Sequence, residues 1–193
     1  MASASTIAKS HRRPRRVTVA QYMAMPDDGR RYELYHGILI MSPSAFYAHG
    51  RVILHVGGQM AEHARKRKSG MVGIETDVVV SKDTVLRPDI NFISTRNRRV
   101  IRGHIYGPPE LVVEVTSPSN WQRDVYDKRD EYERFGIKEY WVLDIAEGRN
   151  RAFQWSLRGG LYRGGQVEGP KLKSTTLRGF ELRLKDVWEL AED

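Results

Sequence analysis

Two stretches of the chain show the pattern of short, fully buried β-strands. Residues 87–93 and residues 111–116 each set one acid, Asp89 and Glu114 respectively, among branched or aromatic apolar residues. Turn-forming prolines and serines border both stretches. Continuous apolar runs with such borders are typical of strands that are covered on both faces of a sheet. The pattern therefore predicts two central strands, and it places Glu114 where water is scarce.

A helical period marks a second informative stretch, residues 121–135. Its apolar positions form one stripe, made of Trp121, Val125, Tyr132 and Phe135. Lys128 occupies the position of this stripe that is not apolar, so the pattern predicts a lysine on the inner face of the helix. A lysine packed on the sheet that bears Glu114 would meet carboxylates there. The alternative is an ordinary pair between Lys128 and Asp124 on the helix surface.

The rest of the pattern predicts the elements around these two. We expect a short helix at residues 19–25, capped by Thr18, a hairpin at 31–41, a long helix at 44–68 and two strands at 71–80. Further along the chain we expect a buried strand at 139–145, β-type runs with glycine pairs at 151–184 and a closing helix at 185–190. The mixture of helices and strands indicates an α/β (α+β) chain that ends in an antiparallel β extension.

Two polar residues within these elements have ordinary interpretations. Glu33 lies in the first strand of the hairpin, where spacing alone favours a solvent-facing acid. His49 lies in the long helix, and its spacing to His55 does not suit a single zinc-binding face. A structural or supporting role is therefore favoured for His49 over a role as a metal ligand.

Length and composition fit one folded domain. At 193 residues and 22.2 kDa the chain can bury a core without covalent staples, and we expect residues 17–193 to form it. The chain has no cysteine, which excludes disulfides, a thiolate nucleophile and cysteine-ligated metal centres. No apolar run approaches the roughly 18 residues of a membrane span. We expect a soluble, cytoplasmic protein without a membrane partner.

The charge favours a polyanionic partner. The formal net charge is +8 and the sequence pI is about 9.8. Residues 1–16 hold five basic residues and no acid, and they predict a disordered basic tail, although an organellar transit peptide shares this composition.

Two further basic clusters lie within the predicted domain. The first, residues 65–68, ends the long helix, and the second comprises Arg96, Arg98, Arg99 and Arg102. Such clusters are more often solvated faces than phosphate-binding tracks. The second cluster belongs to a predicted loop, residues 94–109, that joins the two acid-bearing strands. We therefore expect its arginines to lie near whatever the acids act on.

The two strand acids point to metal chemistry. An ionised carboxylate that is buried and unpaired is costly, so it must protonate, find a cation or bind a metal. Two acids on neighbouring strands repel each other unless a divalent cation neutralises both. The sequence therefore predicts a hard-metal site for phosphate chemistry. No phosphate-binding loop, dinucleotide fingerprint or serine-hydrolase elbow is present, which removes the common nucleotide and hydrolase interpretations.

Several motifs together carry a family resemblance. They are residues 32–37, 87–89, 109–115, 117–119 and 136–141, with Asp124, Lys128 and Tyr132. This set resembles the Uma-two family of restriction-endonuclease-like proteins, within the PD-(D/E)XK nuclease superfamily, over roughly residues 18–190. The resemblance implies a restriction-endonuclease-like core, in which a mixed central β-sheet is flanked by helices.

The same resemblance implies a set of site residues. Asp89 and Glu114 would be Mg²⁺ ligands, with the carbonyl of Val115 as a third oxygen and Glu33 as an accessory acid. In the ordinary nuclease pattern a lysine follows the strand acid by two positions, but Thr116 stands there in this chain. Within the family the lysine lies on the following helix, which is the position of Lys128.

The function implied is Mg²⁺-dependent hydrolysis of phosphodiester bonds by an endonuclease, with DNA as the expected nucleic acid and Mn²⁺ as an alternative metal. A homodimer is compatible with this function. The displaced lysine keeps a second hypothesis open, a nuclease-like fold with degraded chemistry that acts as a DNA-associated binding or regulatory module. A third hypothesis, a metal-dependent enzyme for a small phosphorylated substrate, is favoured less by the basic clusters.

Overall fold

The structure is a computed structural model that describes residues 16–42, 46–116 and 121–192. The predictions for the tail at residues 1–15, for the first residues of the long helix and for the turn at residues 117–119 lie outside the described residues.

Within these ranges the helices are α1 (Val19–Met23), α2 (Tyr47–Arg67), α3 (Arg129–Phe135) and α4 (Leu184–Ala191). A 3-10 helix spans Thr95–Val100, and a π-helical segment, here called the π segment, spans Arg123–Lys128. The strands are β1 (Tyr32–Tyr35), β2 (Ile38–Met41), β3 (Gly70–Ile74), β4 (Val78–Ser81), β5 (Thr84–Leu86), β6 (Ile90–Ser94), β7 (Ile101–Arg102), β8 (His104–Ile105), β9 (Leu111–Thr116), β10 (Glu139–Asp144), β11 (Arg151–Arg158), β12 (Leu161–Gln166), β13 (Lys171–Lys173) and β14 (Glu181–Arg183).

A mixed sheet forms the centre of the fold, with the strand order β12-β11-β10-β9-β6-β3. Strand β9 makes the sheet mixed, because it pairs in parallel with β10 and antiparallel with β6. The register sets Ile90 opposite Val113, so Asp89, one residue before β6, comes beside Glu114. The predicted mixed sheet is confirmed, and the two acids belong to neighbouring strands.

A second sheet lies against the first, with the order β2-β1-β5-β4-β8-β7. The predicted hairpin is present in it as the antiparallel pair β1 and β2. The short strand β5 had not been recognised as a separate element. Its last residue, Leu86, packs in one apolar cluster with Val112 of the central sheet and Tyr132 of α3.

Helices cover both faces of the central sheet. Residues of α2 and α4 pack with Leu111, Val113 and Val115 on one face. The π segment and α3 pack on the opposite face, with Val112. Because side chains alternate along a strand, Glu114 shares the face of Val112 and points toward the π segment.

Local signals at the helix ends agree with the sequence. Thr18 caps α1 in a reciprocal arrangement with Gln21. Gly136 ends α3 with a φ of 89°, a left-handed conformation that glycine adopts without strain.

The C-terminal extension is fastened to the central sheet by a buried acid. Strands β11 and β12 continue the sheet in antiparallel fashion, as predicted. Glu139, fully buried at the start of β10, accepts hydrogen bonds from the Trp141 indole (2.9 Å) and from the backbone N–H groups of Thr175 and Thr176 (3.0 Å each, to Oε2). The segment that links β13 to β14 is therefore tied to β10.

The basic segment of residues 94–109 lies in a different place from the one expected. It forms the 3-10 helix and the short strands β7 and β8 rather than a plain loop. The 3-10 helix starts at the end of β6 that is remote from Asp89, and the five residues of β6 span roughly 16 Å. The expectation that Arg96, Arg98 and Arg99 lie near the acids is therefore wrong, because β6 carries the chain away from them.

Candidate active site

The π segment brings charged residues to the face of the sheet that carries Glu114. A π-helical turn holds more residues than an α-helical turn, so a wider arc of side chains can face the sheet. Asp124, Val125 and Lys128 are buried, and the side chain of Arg123 is only 20% exposed. Three charged side chains thus come from one short segment.

Lys128 lies inside the protein, between carboxylates. Its Nζ is 2.9 Å from Glu114 Oε1 and 3.2 Å from Glu33 Oε1. The contact with Asp124 Oδ1 is also present, at 3.5 Å, but it is buried and does not lie on the helix surface. Asp89 is not among the ion-pair partners of Lys128 in the part of the chain that the structure describes. Burial lowers the pKa of Lys128, yet the carboxylates outweigh burial and raise it well above its usual value. The side chain is therefore an ammonium.

Glu114 is 2% exposed and points into this cluster from β9. Its Oε1 accepts hydrogen bonds from Lys128 and from the Tyr132 hydroxyl, both at 2.9 Å. Burial raises the pKa of Glu114 well above its usual value, and the negative charges of Asp124 and Asp89 add to this, whereas Lys128 opposes it. The positive charge near Glu114 is therefore too small to offset the cost of burying its ionised form.

Glu33 is buried, which corrects the prediction of a solvent-facing acid. It is 3% exposed, and its Oε1 accepts the backbone N–H of Arg87 at 2.7 Å. Its Oε2 lies 2.5 Å from Nη2 of Arg123. Burial raises the pKa of Glu33, but Lys128 and Arg123 outweigh it and lower the pKa below its usual value. The face that spacing assigned to solvent is covered by the π segment.

Asp89 stands beside β9 and contacts two elements. Its Oδ2 accepts the backbone N–H of Val115 at 2.7 Å, which fixes the carboxylate next to that residue. His49, in the first turn of α2, places Nε2 at 3.5 Å from the same oxygen. Burial lowers the pKa of His49, but Asp89 and the Val115 carbonyl outweigh it and raise the pKa. Asp89, Val115 and His49 thus form one side of the site.

Thr116 occupies the position at which the ordinary nuclease pattern has a lysine. Its side chain is buried and bonds the carboxylate of Asp124. Burial raises the pKa of Asp124 above its usual value, and Lys128 and Thr116 only partly offset this effect. The positive charge next to Glu114 comes instead from Lys128, in the π segment.

The charge balance of the site suits a divalent cation. Among the described residues, four carboxylates, those of Glu33, Asp89, Glu114 and Asp124, face the two permanent cations Arg123 and Lys128. Burial raises the pKa values of Glu114 and Asp124, and the neighbouring carboxylates raise them further. A divalent ion would offset this excess of negative charge.

The donor set also limits how a metal could be held. In the described ranges no three His, Asp or Glu side chains form a ready metal-binding group. An ion at this site would therefore take the carboxylates of Asp89 and Glu114 together with backbone and water oxygens. Mg²⁺ accepts such a set, because it binds through few carboxylates and keeps several waters.

Sequence reasoning missed Arg123, and it gave His49 a supporting role without identifying Asp89 as its partner. Arg123 stands five residues before Lys128, a spacing that shares a face in a π-helix but not in an α-helix. No sequence signal for the π turn was recognised. For His49 the signal was its position in the first turn of the long helix, but its contact with Asp89 depends on how α2 crosses the sheet.

These features define the class of protein. A mixed sheet flanked by helices, with acids on neighbouring strands and a lysine on the next helix, is a restriction-endonuclease-like fold. The family model Uma2, described as "Putative restriction endonuclease", matches residues 19–185. The chain therefore belongs to the Uma2 (Uma-two) family.

A solved structure has a similar fold. It is a putative nuclease belonging to DUF820 from Anabaena variabilis ATCC 29413, with a TM-score of 0.77 and 14% sequence identity. The match covers 91% of this chain and 99% of that chain, and at this identity it shows the fold. No curated protein matches the chain. Over the described ranges, no helix is long and apolar enough to cross a membrane.

Proposed function

We propose that the chain is a Mg²⁺-dependent endonuclease that hydrolyses phosphodiester bonds of DNA. The observation that supports this most is the position of the Lys128 ammonium, 2.9 Å from Glu114 and buried with it. It supplies the positive charge that Thr116 cannot supply. Membership in a family described as restriction endonucleases, together with the net charge of +8, favours nucleic acid as the substrate.

In this proposal Asp89 and Glu114 hold the ion, with the carbonyl of Val115 as a further oxygen, and Mn²⁺ can replace Mg²⁺. When bound, the ion would polarise a phosphoryl oxygen and lower the pKa of a bound water. Glu114 would need to be ionised to bind it, and Lys128 favours that form.

The remaining residues have supporting roles in the proposal. Lys128 holds an attacking water or stabilises the charge that develops on the phosphate. Glu33 acts as the accessory acid, because it contacts both Lys128 and Arg123 and so fixes two cations. Arg123 Nε is buried without a hydrogen-bond partner among the described residues, and it can donate to a phosphate oxygen. We further propose residues 17–193 as one domain in a cytoplasmic protein, with a homodimer allowed.

The test is cleavage of plasmid and linear duplex DNA by the wild type and by Lys128→Met, with Mg²⁺ present. The substitution keeps most of the apolar stem and removes the ammonium. Cleavage should fall by about 10² to 10³, the usual effect of losing a preorganised charge. Because unpairing a buried carboxylate costs about 3–5 kcal/mol, the assay is run well below the variant's melting temperature.

The matched control is Lys138→Met, which changes an exposed lysine whose one acidic partner among the described residues is Glu110. It should retain cleavage. Full activity of Lys128→Met, or no cleavage of any nucleic acid by the wild type with Mg²⁺ or Mn²⁺, contradicts the proposed mechanism.

The binding-module hypothesis has its own supporting observation. Glu114 Oε1 already accepts two hydrogen bonds, and Lys128 and Arg123 compensate part of the acid charge without a metal. If the chain only binds DNA, Glu114→Gln should leave DNA affinity unchanged and no cleavage should be observed. Assays of DNA binding and DNA cleavage therefore distinguish the two hypotheses.

A further inference from the structure

A group of exposed cations lies at the end of the molecule remote from the candidate active site. It comprises four residues at the end of α2 and three in the 3-10 helix, here called the distal basic surface: Arg65, Lys66, Arg67, Lys68, Arg96, Arg98 and Arg99. All seven are exposed. The candidate site, in contrast, carries an excess of acid.

The two parts of the distal basic surface are joined directly. The backbone N–H of Thr95 donates to the carbonyl of Ser69 at 2.9 Å, and the Thr95 hydroxyl donates to the carbonyl of Lys68 at 3.1 Å. The last residue of the first cluster is thus adjacent to the first turn of the 3-10 helix. The two clusters therefore adjoin each other.

Two elements give the separation between this surface and the site. Along α2, His49 and Arg65 are sixteen residues apart, which corresponds to roughly 24 Å of helix. Along β6, the chain travels roughly 16 Å from Asp89 to the 3-10 helix. Both elements run between the same two places, so the separation is a fixed property of the fold.

The backbone that carries the cations of the 3-10 helix is held in place, and its arginines have no acidic partner in the part of the chain that the structure describes. Asn97 donates to the carbonyl of Pro108 at 2.9 Å, and the N–H of Tyr106 donates to the carbonyl of Val100 at 2.8 Å. Glu62 pairs with Arg65 and Lys66, but among the described residues no carboxylate pairs with Arg96, Arg98 or Arg99.

Stability explains only one part of this arrangement. The cations at the end of α2 suit the negative end of the helix dipole. The three arginines of the 3-10 helix lie within four residues and only repel one another. Guanidinium groups without acidic partners among the described residues, carried on a fixed backbone, are instead suited to phosphate oxygens, which arginine binds in bidentate fashion.

We propose that the distal basic surface binds the phosphate backbone of a nucleic-acid duplex, as a second contact that is separate from the acid-lined site. The inference takes its partner from the proposed function and uses none of its chemistry. Without a divalent metal the acid-lined site repels phosphates, so binding in the presence of a chelator isolates the contribution of the basic surfaces.

The experiment measures binding of the full chain to fluorescent 20-base-pair DNA and RNA duplexes in EDTA, over a range of salt concentrations. The test variant replaces Arg96, Arg98 and Arg99 by Gln. Each lost phosphate contact lowers the slope of log affinity against log salt by about 0.9 on B-form DNA. We expect the slope to fall by about 2 to 3, and the two duplexes identify the preferred polymer.

The matched control replaces Arg149, Arg158 and Arg163 by Gln, which removes the same charge. Arg158 and Arg163 belong to the β11–β12 hairpin, and β12 is at the opposite edge of the central sheet from β3. The control should keep the wild-type slope. An unchanged slope in the test variant, or an equal loss in both variants, overturns the proposal.

Anionic lipid vesicles separate a membrane surface from a nucleic-acid surface. If the test variant loses vesicle binding and keeps its duplex affinity, the surface binds lipid and the proposal is wrong. Cleavage is assayed independently, so an inactive wild type that shows the predicted loss of slope contradicts only the proposed catalysis.

Discussion

His49 is a residue of the candidate site whose proposed role depends on its contact with Asp89. Its Nε2 lies 3.5 Å from Asp89 Oδ2, and its Nδ1 is buried without a hydrogen-bond partner among the described residues. If Asp89 is a metal ligand, His49 orients it, and such supporting residues typically change metal affinity by about 10- to 100-fold. We predict a loss of this size in Mn²⁺ affinity for His49→Ala, measured by calorimetry.

The control for that measurement is His55→Ala, on the same helix, where the imidazole contacts Gln59. It should bind Mn²⁺ like the wild type. Equal Mn²⁺ affinity in the wild type and His49→Ala would show that α2 does not support the metal site.

Glu139 gives a prediction about stability that is separate from the site. It is fully buried and accepts hydrogen bonds from the Trp141 indole, the Gln154 amide and the backbone of residues 175 and 176. Replacement by Ala leaves several of these donors unpaired, each at a cost of about 1–3 kcal/mol. We predict that Glu139→Ala lowers the free energy of unfolding by at least about 3 kcal/mol, measured by urea denaturation. A variant as stable as the wild type would show that these hydrogen bonds are not needed for stability.

Glu33 and Lys128 show what a sequence pattern can tell about single residues. The position of Lys128 on the inner face of its helix could be predicted, because the apolar stripe of that helix defines the face. The burial of Glu33 could not, because it depends on a distant segment that covers its hairpin. Local periodicity reports the neighbours of a residue along the chain, whereas burial in a hairpin is decided by tertiary contacts.

At the level of elements, the π segment is the feature that shapes the site. A π turn corresponds to one residue inserted into an α-helix, so removing one residue restores α-helical geometry. Tyr126 is 51% exposed, which makes it the natural residue to delete. The deletion should turn Arg123 and Asp124 by about 100° relative to Lys128. We predict a folded protein whose cleavage rate is lower by about 100-fold or more, the effect of losing preorganised charge.

Tyr126→Ala is the control for this deletion, because it removes the side chain and keeps the number of residues. It should cleave DNA at the wild-type rate. A deletion variant with full activity would mean that the π turn is irrelevant to the site, and the melting temperature of each variant shows whether it is folded.

The elements themselves were largely predictable. Strand β9 begins and ends at the residues that the sequence indicated, and α2, α4 and the first hairpin lie within a few residues of their predicted bounds. The helix predicted over residues 121–135 is largely divided between the π segment and α3. The π turn and β5 were not predicted. Their hydrogen bonds depend on contacts with the rest of the fold, and the residue types present are equally compatible with an α-helix and a loop.

For the whole molecule, the proposed metal should act as a stabilising ligand. At about 100 times its dissociation constant, Mg²⁺ would add about 2.7 kcal/mol to the free energy of unfolding. For a chain of this length the melting temperature should rise by about 5–10 °C. Calorimetry in EDTA and in Mg²⁺ measures this shift, and Glu114→Gln should abolish it. No shift for the wild type at millimolar Mg²⁺ contradicts the metal site.

The overall architecture followed from the order of elements together with the family motifs, but the arrangement of charge did not. The loop between the two acidic strands was expected to return its arginines to the site. Strand β6 instead carries them to the opposite end of the sheet. Proximity along the chain misleads wherever a full strand intervenes, because five residues in extended form cross most of a small sheet.

The site is built half on β9 and half on the π segment, and we expect the π segment to open locally more often than β9. Strand β9 is hydrogen-bonded to neighbours on both sides and is buried along its whole length. The amide protons of Val112 and Val113 should therefore exchange with heavy water only when the whole protein unfolds. Those of residues 123–128 should exchange through brief local openings. The strand acids would thus persist for the lifetime of the folded state, while Lys128 and Arg123 leave and return many times within it. A bound ion or phosphate that bridges the halves should slow exchange in the π segment and leave β9 unchanged.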